Sequence, residues 1–154
     1  MPNTDKKIAV IGLGYVGLPL AFEFSKKYDT IGFDINPQRI IELNTGIDIT
    51  REIDPSQFNS QNSLALTNNP NQLSQCNIFI VTVPTPVDQH KLPDLSYVLA
   101  ATKMVGKLIK TGDIVIYEST VYPGCTEEEC LPILESISGL QGGKDFKYGY
   151  SPER

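Results

Sequence analysis

The apolar residues of this chain form short runs that alternate with longer segments of helical periodicity. Residues 8–11 (IAVI) are a compact apolar run between lysines and a glycine, which is typical of a strand buried on both faces of a parallel sheet. From Leu18 to Phe24 the apolar positions cover one broad helical face, and Lys26 follows, where a helix dipole favours a cation. The chain therefore opens with a predicted strand and helix.

The same alternation continues to the end of the chain. Further strands are predicted at residues 31–34, 64–67, 77–83, 113–118 and 146–150. Helices are predicted from Pro37 to Gly46, over 69–75, over 95–110 behind an Asp94 cap, and after Thr126 as a cap. Strands and helices that alternate at this spacing predict an α/β fold: a doubly wound parallel Rossmann sheet of about six strands with helices on both faces.

Composition and charge narrow the class of protein. The 154 residues suffice for one buried core, so residues 1–154 are expected to form a single domain. Thirteen basic and eighteen acidic residues give a net charge of -5, which offers no broad attraction to nucleic acid. No apolar run approaches the ~20 residues that cross a bilayer, and the polar start lacks a signal-peptide core, so we expect a cytoplasmic protein without membrane contact.

The three cysteines show no metal or disulfide pattern. Cys76, Cys125 and Cys130 are odd in number and lack CxxC spacing, so neither a disulfide framework nor a bound metal is expected. We interpret all three as packing residues; a reactive thiol at Cys125 is the alternative, but no base stands near it in the sequence. The only histidine, His90, lies in a polar loop and is assigned no role.

Three glycines directly after the first predicted strand have the spacing of a dinucleotide fingerprint. Gly12 would make the tight turn, Gly14 would let the backbone approach a pyrophosphate, and Gly17 would let helix and strand pack closely. The free N–H groups at the start of that helix would then face the phosphates. The pattern alone is weak evidence, because glycine-rich turns occur in many folds.

The residues after the second predicted strand strengthen the dinucleotide interpretation. Asp34 ends that strand, 17 residues after Gly17, where an acidic residue bonds the adenosine ribose hydroxyls. A carboxylate there would repel a 2′-phosphate, so NAD is preferred over NADP as the cofactor. Asp34 could instead cap the next helix or lie in a solvated turn. Arg39 suits a contact along the adenosine and a solvated surface position equally.

Three further motifs stand at the predicted carboxyl ends of strands, the edge at which open α/β sheets bind ligands. They are residues 83–86 (VPTP), 118–124 (ESTVYPG) and 151–154 (SPER). Together with residues 12–19 (GLGYVGLP), this ordered set closely resembles the UDP-glucose/GDP-mannose dehydrogenase family. The resemblance covers essentially the whole chain, and four ordered motifs are far more specific than any one of them.

Within that family, three segments are similar to the branch that oxidises UDP-N-acetylhexosamines for surface polysaccharides. These segments are residues 46–50, 118–124 and 149–154. UDP-glucose enzymes usually carry a phenylalanine after the Pro-Glu pair, whereas this chain carries Arg154. The sequence does not specify which hexosamine epimer is the substrate.

The resemblance implies roles for individual residues. Beside the three glycines, it implies that NAD contacts Tyr15, Val16, Asp34, Arg39, Thr85 and Thr120. Thr85 and Thr120 would flank the nicotinamide end, with Thr120 also at the reacting centre. Glu153 would be a catalytic base for thioester hydrolysis, and Arg154 would contact the UDP-sugar substrate. Without the family, the threonines are turn and strand-end hydroxyls and the last two residues a charged chain end.

The family reaction implied by the resemblance is a double oxidation. An alcohol becomes an aldehyde, a cysteine captures it, a second oxidation gives a thioester, and hydrolysis releases the acid, with two NAD consumed per sugar. Family members carry that cysteine and a lysine beyond position 154, with a central helix and a UDP-sugar domain, and form homodimers. We therefore expect the 154-residue chain by itself to be inactive.

Two other functions remain open at this point. A hydroxyacid-type NAD dehydrogenase would also begin with the glycine fingerprint but would not require the motifs at 118–124 and 151–154. A non-catalytic NAD-sensing domain would suit the short length but would leave Glu153 unexplained.

Overall fold

The computed structural model describes residues 3–46, 64–87, 89–119 and 124–151. Within these residues the strands are β1 Asn3–Ile11, β2 Tyr28–Phe33, β3 Leu64–Thr67, β4 Ile78–Val81, β5 Ile114–Tyr117 and β6 Lys147–Tyr150. The α-helices are α1 Gly17–Ser25, α2 Pro37–Asn44, α3 Ser96–Gly106 and α4 Leu131–Ser138. The short helix predicted over 69–75 is present as a 3-10 helix at Pro70–Gln75, with Asn69 as its N-cap.

The six strands form one parallel sheet in the order β3-β2-β1-β4-β5-β6. The chain starts in the middle of the sheet, builds outward through β2 and β3, and then crosses over to β4 on the other side of β1. The direction of winding reverses between β1 and β4, which is the place where Rossmann folds open a ligand crevice. The predicted fold class is confirmed.

Side chains of β1 alternate between two helical layers, one on each face of the sheet. Ala9 and Ile11 belong to a buried cluster shared with α3 and α4, whereas Ile8 and Val10 belong to a cluster shared with α1 and α2. All four side chains are at most 3% exposed. Burial on both faces explains why this strand is a continuous apolar run.

The strand register brings the carboxyl ends of the strands into one row. Ile11 at the end of β1 pairs with Phe33 of β2 and with Val81 of β4. Val81 in turn pairs with Tyr117 of β5, which pairs with Tyr150 of β6. The loops that follow these strands therefore all leave from the same edge of the sheet.

The last helix begins later than the sequence predicts. Thr126 is not its cap: Thr126–Cys130 form a π-helical turn, and α4 begins only at Leu131. The N–H of Leu131 bonds to the carbonyl of Thr126, five residues back. Pro132 accounts for the break, because it has no N–H for an α-helical bond to Glu128.

Helix α3 is shorter than predicted and begins at Ser96 rather than at residue 95. The N-cap is Leu95 rather than the predicted Asp94, although the carboxylate of Asp94, one residue earlier, accepts a hydrogen bond from the Ser96 N–H at 2.9 Å. Hydrogen bonds from the Ser96 side chain and backbone lower the pKa of Asp94. At the other end, the N–H groups of Leu108 and Ile109 both bond to the carbonyl of Val105, and the helix gives way to a turn.

Candidate cofactor site

The residues that follow the central strands are held in line at the carboxyl edge. Gly12, Thr82 and Glu118 each donate their N–H to the final carbonyl of the adjacent strand, at 2.8 Å in every case. Asp34 makes the equivalent bond at the end of β2, at 3.2 Å. The fold thus brings the glycine turn, the predicted ribose-binding acid and the starts of two further motifs to the edge where ligands bind.

The three fingerprint glycines meet different requirements. Gly12 has φ +99°, and a Cβ there would lie 3.0 Å from the backbone of Val83. A Cβ on Gly17 would overlap the carbonyl oxygen of Gly12 and the hydroxyl of Thr82. At Gly14, by contrast, a Cβ would meet nothing within 4 Å. Packing therefore demands the first and third glycines, while the second leaves open space of the kind a pyrophosphate needs beside the backbone.

Asp34 bonds two backbone N–H groups at the end of β2. One carboxylate oxygen accepts from Leu13 at 3.0 Å and the other from Asn36 at 3.0 Å. Asp34 does not cap α2, because Asn36 does so with its own side chain, which accepts from the N–H of Gln38. Each carboxylate oxygen has two lone-pair sites, so Asp34 keeps capacity to accept from ribose hydroxyls.

Arg39 is a buried residue of α2, not a solvated surface arginine. Its side chain is only 7% exposed, and its Nε and Nη2 both donate to the carbonyl of Leu13, at 2.8 and 2.6 Å. The peptide groups of Leu13 are thus held by Asp34 at the N–H and by Arg39 at the carbonyl. The two residues expected to contact the adenosine also fix the centre of the glycine turn.

Apolar surface lies beside this polar cluster. Tyr15, in the glycine turn, is 69% exposed, and Val16 is half-buried at the start of α1. Ile35, directly after Asp34, is 79% exposed. Exposed apolar side chains flanking a few fixed polar groups are typical of a small-molecule site, and Tyr15 and Val16 remain predicted cofactor contacts.

On the other side of the glycine turn, only part of the predicted site lies within the described residues. Thr85 is half-buried in the loop after β4. Ser151 opens the last motif at the same sheet edge, because its N–H bonds to the carbonyl of Tyr117 at 2.8 Å. Thr120, Glu153 and Arg154 lie outside the described residues, as do residues 47–50, so their roles stay predictions.

Two buried hydroxyl side chains at this edge have no role predicted from the sequence. Thr82 is 8% exposed and bonds the carbonyls of Ile11 and Gly12, while Ser119 is 4% exposed and bonds the carbonyl of Val83. The available signal was weak: Thr82 is the only hydroxyl side chain in the apolar run 77–83. Such a residue in a buried strand needs a partner, but the sequence does not say which.

The cysteines of the described residues are buried, and no disulfide joins them. Cys76, Cys125 and Cys130 are at most 1% exposed, in agreement with a packing role. Burial raises the pKa of the Cys76 thiol to about 11 and also raises that of Cys130. Across the same described ranges there is no group of three or more potential metal-binding side chains, and no helix is long and apolar enough to cross a membrane.

The chain is similar to nucleotide-sugar dehydrogenases in sequence and in structure. It is 59% identical over 150 residues to UDP-N-acetyl-D-glucosamine 6-dehydrogenase of Pseudomonas aeruginosa. The matched residues make up 97% of this chain and 36% of that protein. The protein of the same name from Salmonella typhi is 51% identical over 150 residues, 97% of this chain and 35% of that protein. The solved structure of UDP-D-ManNAc dehydrogenase from Pyrococcus horikoshii superposes with a TM-score of 0.88 at 39% identity, over 96% of this chain and 36% of that one.

The extent of these matches defines what the chain shares with its relatives. It spans about a third of the length of the curated relatives it matches. The sequence profile of the UDP-glucose/GDP-mannose dehydrogenase family, NAD binding domain, matches residues 6–154. With the glycine turn, Asp34 and the starts of the family motifs at one sheet edge, this match shows that the chain belongs to the UDP-glucose/GDP-mannose dehydrogenase family and is an NAD-binding domain of that family.

Proposed function

We propose that this domain binds NAD for a nucleotide-sugar 6-dehydrogenase, which oxidises a UDP-N-acetylhexosamine to its uronic acid for surface polysaccharide biosynthesis. The observation that carries the proposal is the convergence of the glycine turn, Asp34 and the starts of three family motifs at one edge of the sheet. The relatives at 59% and 51% identity, both named UDP-N-acetyl-D-glucosamine 6-dehydrogenase, support an N-acetylated sugar.

The stoichiometry follows from the electrons involved. Bound NAD supplies a two-electron hydride acceptor. Conversion of an alcohol to a carboxylate removes four electrons, so two NAD are reduced for each UDP-sugar. In this chain, Asp34 would accept from the ribose hydroxyls and repel a 2′-phosphate, and the open space at Gly14 would admit the pyrophosphate.

The chemistry at the sugar is assigned from the family motifs. Thr120 would stand at the reacting centre beside the nicotinamide, Glu153 would act as the base for thioester hydrolysis, and Arg154 would contact the UDP-sugar. Homodimer formation is likewise carried over from the family. We place the reaction in the cytoplasm, because three cysteines that form no disulfide suit a reducing compartment.

A chimera tests this proposal directly. The matching 150 residues of the Pseudomonas aeruginosa dehydrogenase would be replaced by this chain. We expect the chimera to reduce two NAD per UDP-N-acetylglucosamine, and a panel of UDP-hexosamines would identify the preferred epimer. Glu153→Gln in the chimera should slow thioester hydrolysis and leave NADH affinity unchanged.

The isolated chain provides the complementary measurement. The 154-residue polypeptide should bind NADH but should not reduce NAD with UDP-N-acetylglucosamine. Hydride transfer needs the UDP-sugar held against the nicotinamide, which the UDP-sugar domain of family members provides, and the thioester steps need an accessible thiol, whereas Cys76, Cys125 and Cys130 are buried. A folded chimera that binds NAD and UDP-sugar yet reduces no NAD would contradict the enzyme proposal and favour an NAD-sensing domain. Steady NADH production by the isolated chain would contradict the proposal that this domain binds the cofactor but does not by itself oxidise the UDP-sugar.

A further inference from the structure

The hydroxyl of Thr82 lies where β4 meets the glycine turn. Its oxygen is 2.9 Å from the carbonyl oxygen of Ile11 and 2.7 Å from that of Gly12, so its single hydrogen is shared between two acceptors. The missing Cβ of Gly17 leaves the space that this hydroxyl occupies. Thr82 therefore contacts both the first and the third glycine of the fingerprint.

The hydroxyl of Ser119 makes the corresponding link on the other side of β4. It donates to the carbonyl of Val83 at 2.7 Å, with the carbonyl of Val81 as a second, longer acceptor at 3.4 Å, and Ser119 is only 4% exposed. Val83 directly follows Thr82 and opens the loop that carries Thr85. Ser119 directly precedes Thr120. The Ser119 hydroxyl thus joins the residue directly before Thr120 to the loop that carries Thr85.

These two hydroxyls extend the sheet beyond its last backbone bonds. Backbone pairing between β1 and β4 ends with the N–H of Thr82, and pairing between β4 and β5 ends with the N–H of Glu118. Past those points, within the part of the chain that the structure describes, no further backbone pairing joins β1 to β4 or β4 to β5. The side-chain bonds of Thr82 and Ser119 connect the loops one residue further out.

We propose that Thr82 and Ser119 are positioning residues of the cofactor site. Thr82 holds the glycine turn against the loop after β4, and Ser119 holds that loop against the residues that directly follow β5. That these loops bind the pyrophosphate and the nicotinamide end of NAD rests on the proposed function. Without such a hydrogen bond, the loop occupies additional conformations. The apparent affinity for the ligand then falls in proportion to the fraction of molecules that remains binding-competent.

The two positions should therefore affect different parts of the cofactor. ADP-ribose shares the adenosine and pyrophosphate of NADH but lacks the nicotinamide. By calorimetry on the 154-residue chain, Ser119→Ala should weaken NADH binding about three- to tenfold, the size of one hydrogen bond, and change ADP-ribose binding less than about twofold. Thr82→Ala should weaken both ligands by a similar factor, and Thr82→Ser should restore them.

Two matched controls separate positioning from general stability. Ser25 is 3% exposed and donates to the carbonyl of Phe22 at 2.7 Å, at the far end of α1. Thr30 is 2% exposed and donates to the carbonyl of Tyr28 at 3.0 Å, within β2. Ser25→Ala and Thr30→Ala should lower the melting temperature as Ser119→Ala and Thr82→Ala do, but both should bind NADH and ADP-ribose like the wild type.

Each remaining result would count against the inference. Wild-type NADH affinity in Ser119→Ala, or equal weakening of both ligands, would overturn the role of Ser119; so would equal affinity of the wild type for NADH and ADP-ribose. Unchanged affinity of Thr82→Ala for NADH and ADP-ribose would overturn the role of Thr82. If the folded wild type bound no NADH, the proposed cofactor site itself would fail, and both positioning roles with it.

Discussion

At the scale of single residues, the peptide groups of Leu13 link the glycine turn to the residues expected to contact the adenosine. Asp34 accepts from the Leu13 N–H, and Arg39 donates twice to the Leu13 carbonyl. A substitution at either side chain therefore changes the shape of the turn as well as the direct ligand contacts. Both effects act in the same direction on cofactor affinity.

Replacement of Asp34 should weaken NAD binding strongly. Hydrogen bonds to a charged group contribute about 1.5 to 3 kcal/mol, so Asp34→Ala should lower NADH affinity about 10- to 100-fold in calorimetry and reduce the preference over NADPH. Asp113→Ala is a matched control, because Asp113 also accepts from a backbone N–H, that of Lys110 at 2.8 Å, but precedes β5 at the opposite edge. Unchanged NADH affinity in Asp34→Ala would refute the assignment.

Arg39 should prove important for stability as well as for binding. In Arg39→Met the buried carbonyl of Leu13 loses both bonds from the guanidinium, and we expect the free energy of unfolding to fall by about 1 to 3 kcal/mol. Arg39→Lys keeps a donor but not the planar two-nitrogen geometry, so it should rescue only part of the loss. Urea denaturation measures both variants, and wild-type stability in Arg39→Met would rule out a structural role.

At the scale of elements, the site depends on the turn that joins β1 to α1. This turn must bring the start of α1 close to β4, and the structure achieves this with glycines at two points of backbone contact. The middle glycine lies outside that packing. The fingerprint therefore combines a structural requirement at Gly12 and Gly17 with a ligand requirement at Gly14.

Substitutions at two of the glycines should separate folding from binding. Gly14→Val meets no neighbour at its Cβ position, so it should melt cooperatively near the wild-type temperature while losing NADH binding. Gly17→Ala places a methyl group against the Gly12 carbonyl and the Thr82 hydroxyl, and should lower the free energy of unfolding by about 3 kcal/mol or more. Calorimetry measures the NADH affinity of each variant, and thermal melting measures its stability. Normal NADH binding by Gly14→Val would show that the turn is not a phosphate site.

At the scale of the whole molecule, the sheet has a separate core on each of its faces. The core shared with α3 and α4 contains all three cysteines and the buried Tyr117. The Tyr117 hydroxyl lies 2.8 Å from the hydroxyl of Thr102, and burial raises the pKa of this tyrosine. The core therefore holds several groups that must stay protonated while the domain is folded.

The pH dependence of stability should reflect these groups. The pKa of Cys76 rises from 9.0 to about 11 because the thiol is buried. Its contribution is fully present below pH 9 and is lost as the pH rises through 11, since the unfolded thiol ionises first. Urea denaturation should therefore show stability falling from pH 9 to pH 11, with a shallower slope for Cys76→Ser, whose hydroxyl does not ionise there. Identical slopes would contradict a neutral buried thiol.

The sequence by itself determined the elements and most of their order. The run at 8–11, the glycine spacing and the position of Asp34 are local signals. The structure shows the strand, the tight turn and the position directly after β2 that they predict, because these features depend on neighbouring residues, while the ligand contacts stay predictions. The predicted start of the last helix is wrong, because Pro132 has no N–H for an α-helical bond to Glu128 and a π-helical turn precedes α4.

Only the tertiary structure decided which side chains hold the site together. Arg39 reaches the Leu13 carbonyl 26 residues away, Ser119 reaches Val83 across 36 residues, and the Thr82 hydroxyl reaches Gly12 across 70. Nothing near these side chains in the chain specifies their acceptors. The strand order and register bring the partners to one edge, and the burial of each polar group there requires it to be bonded.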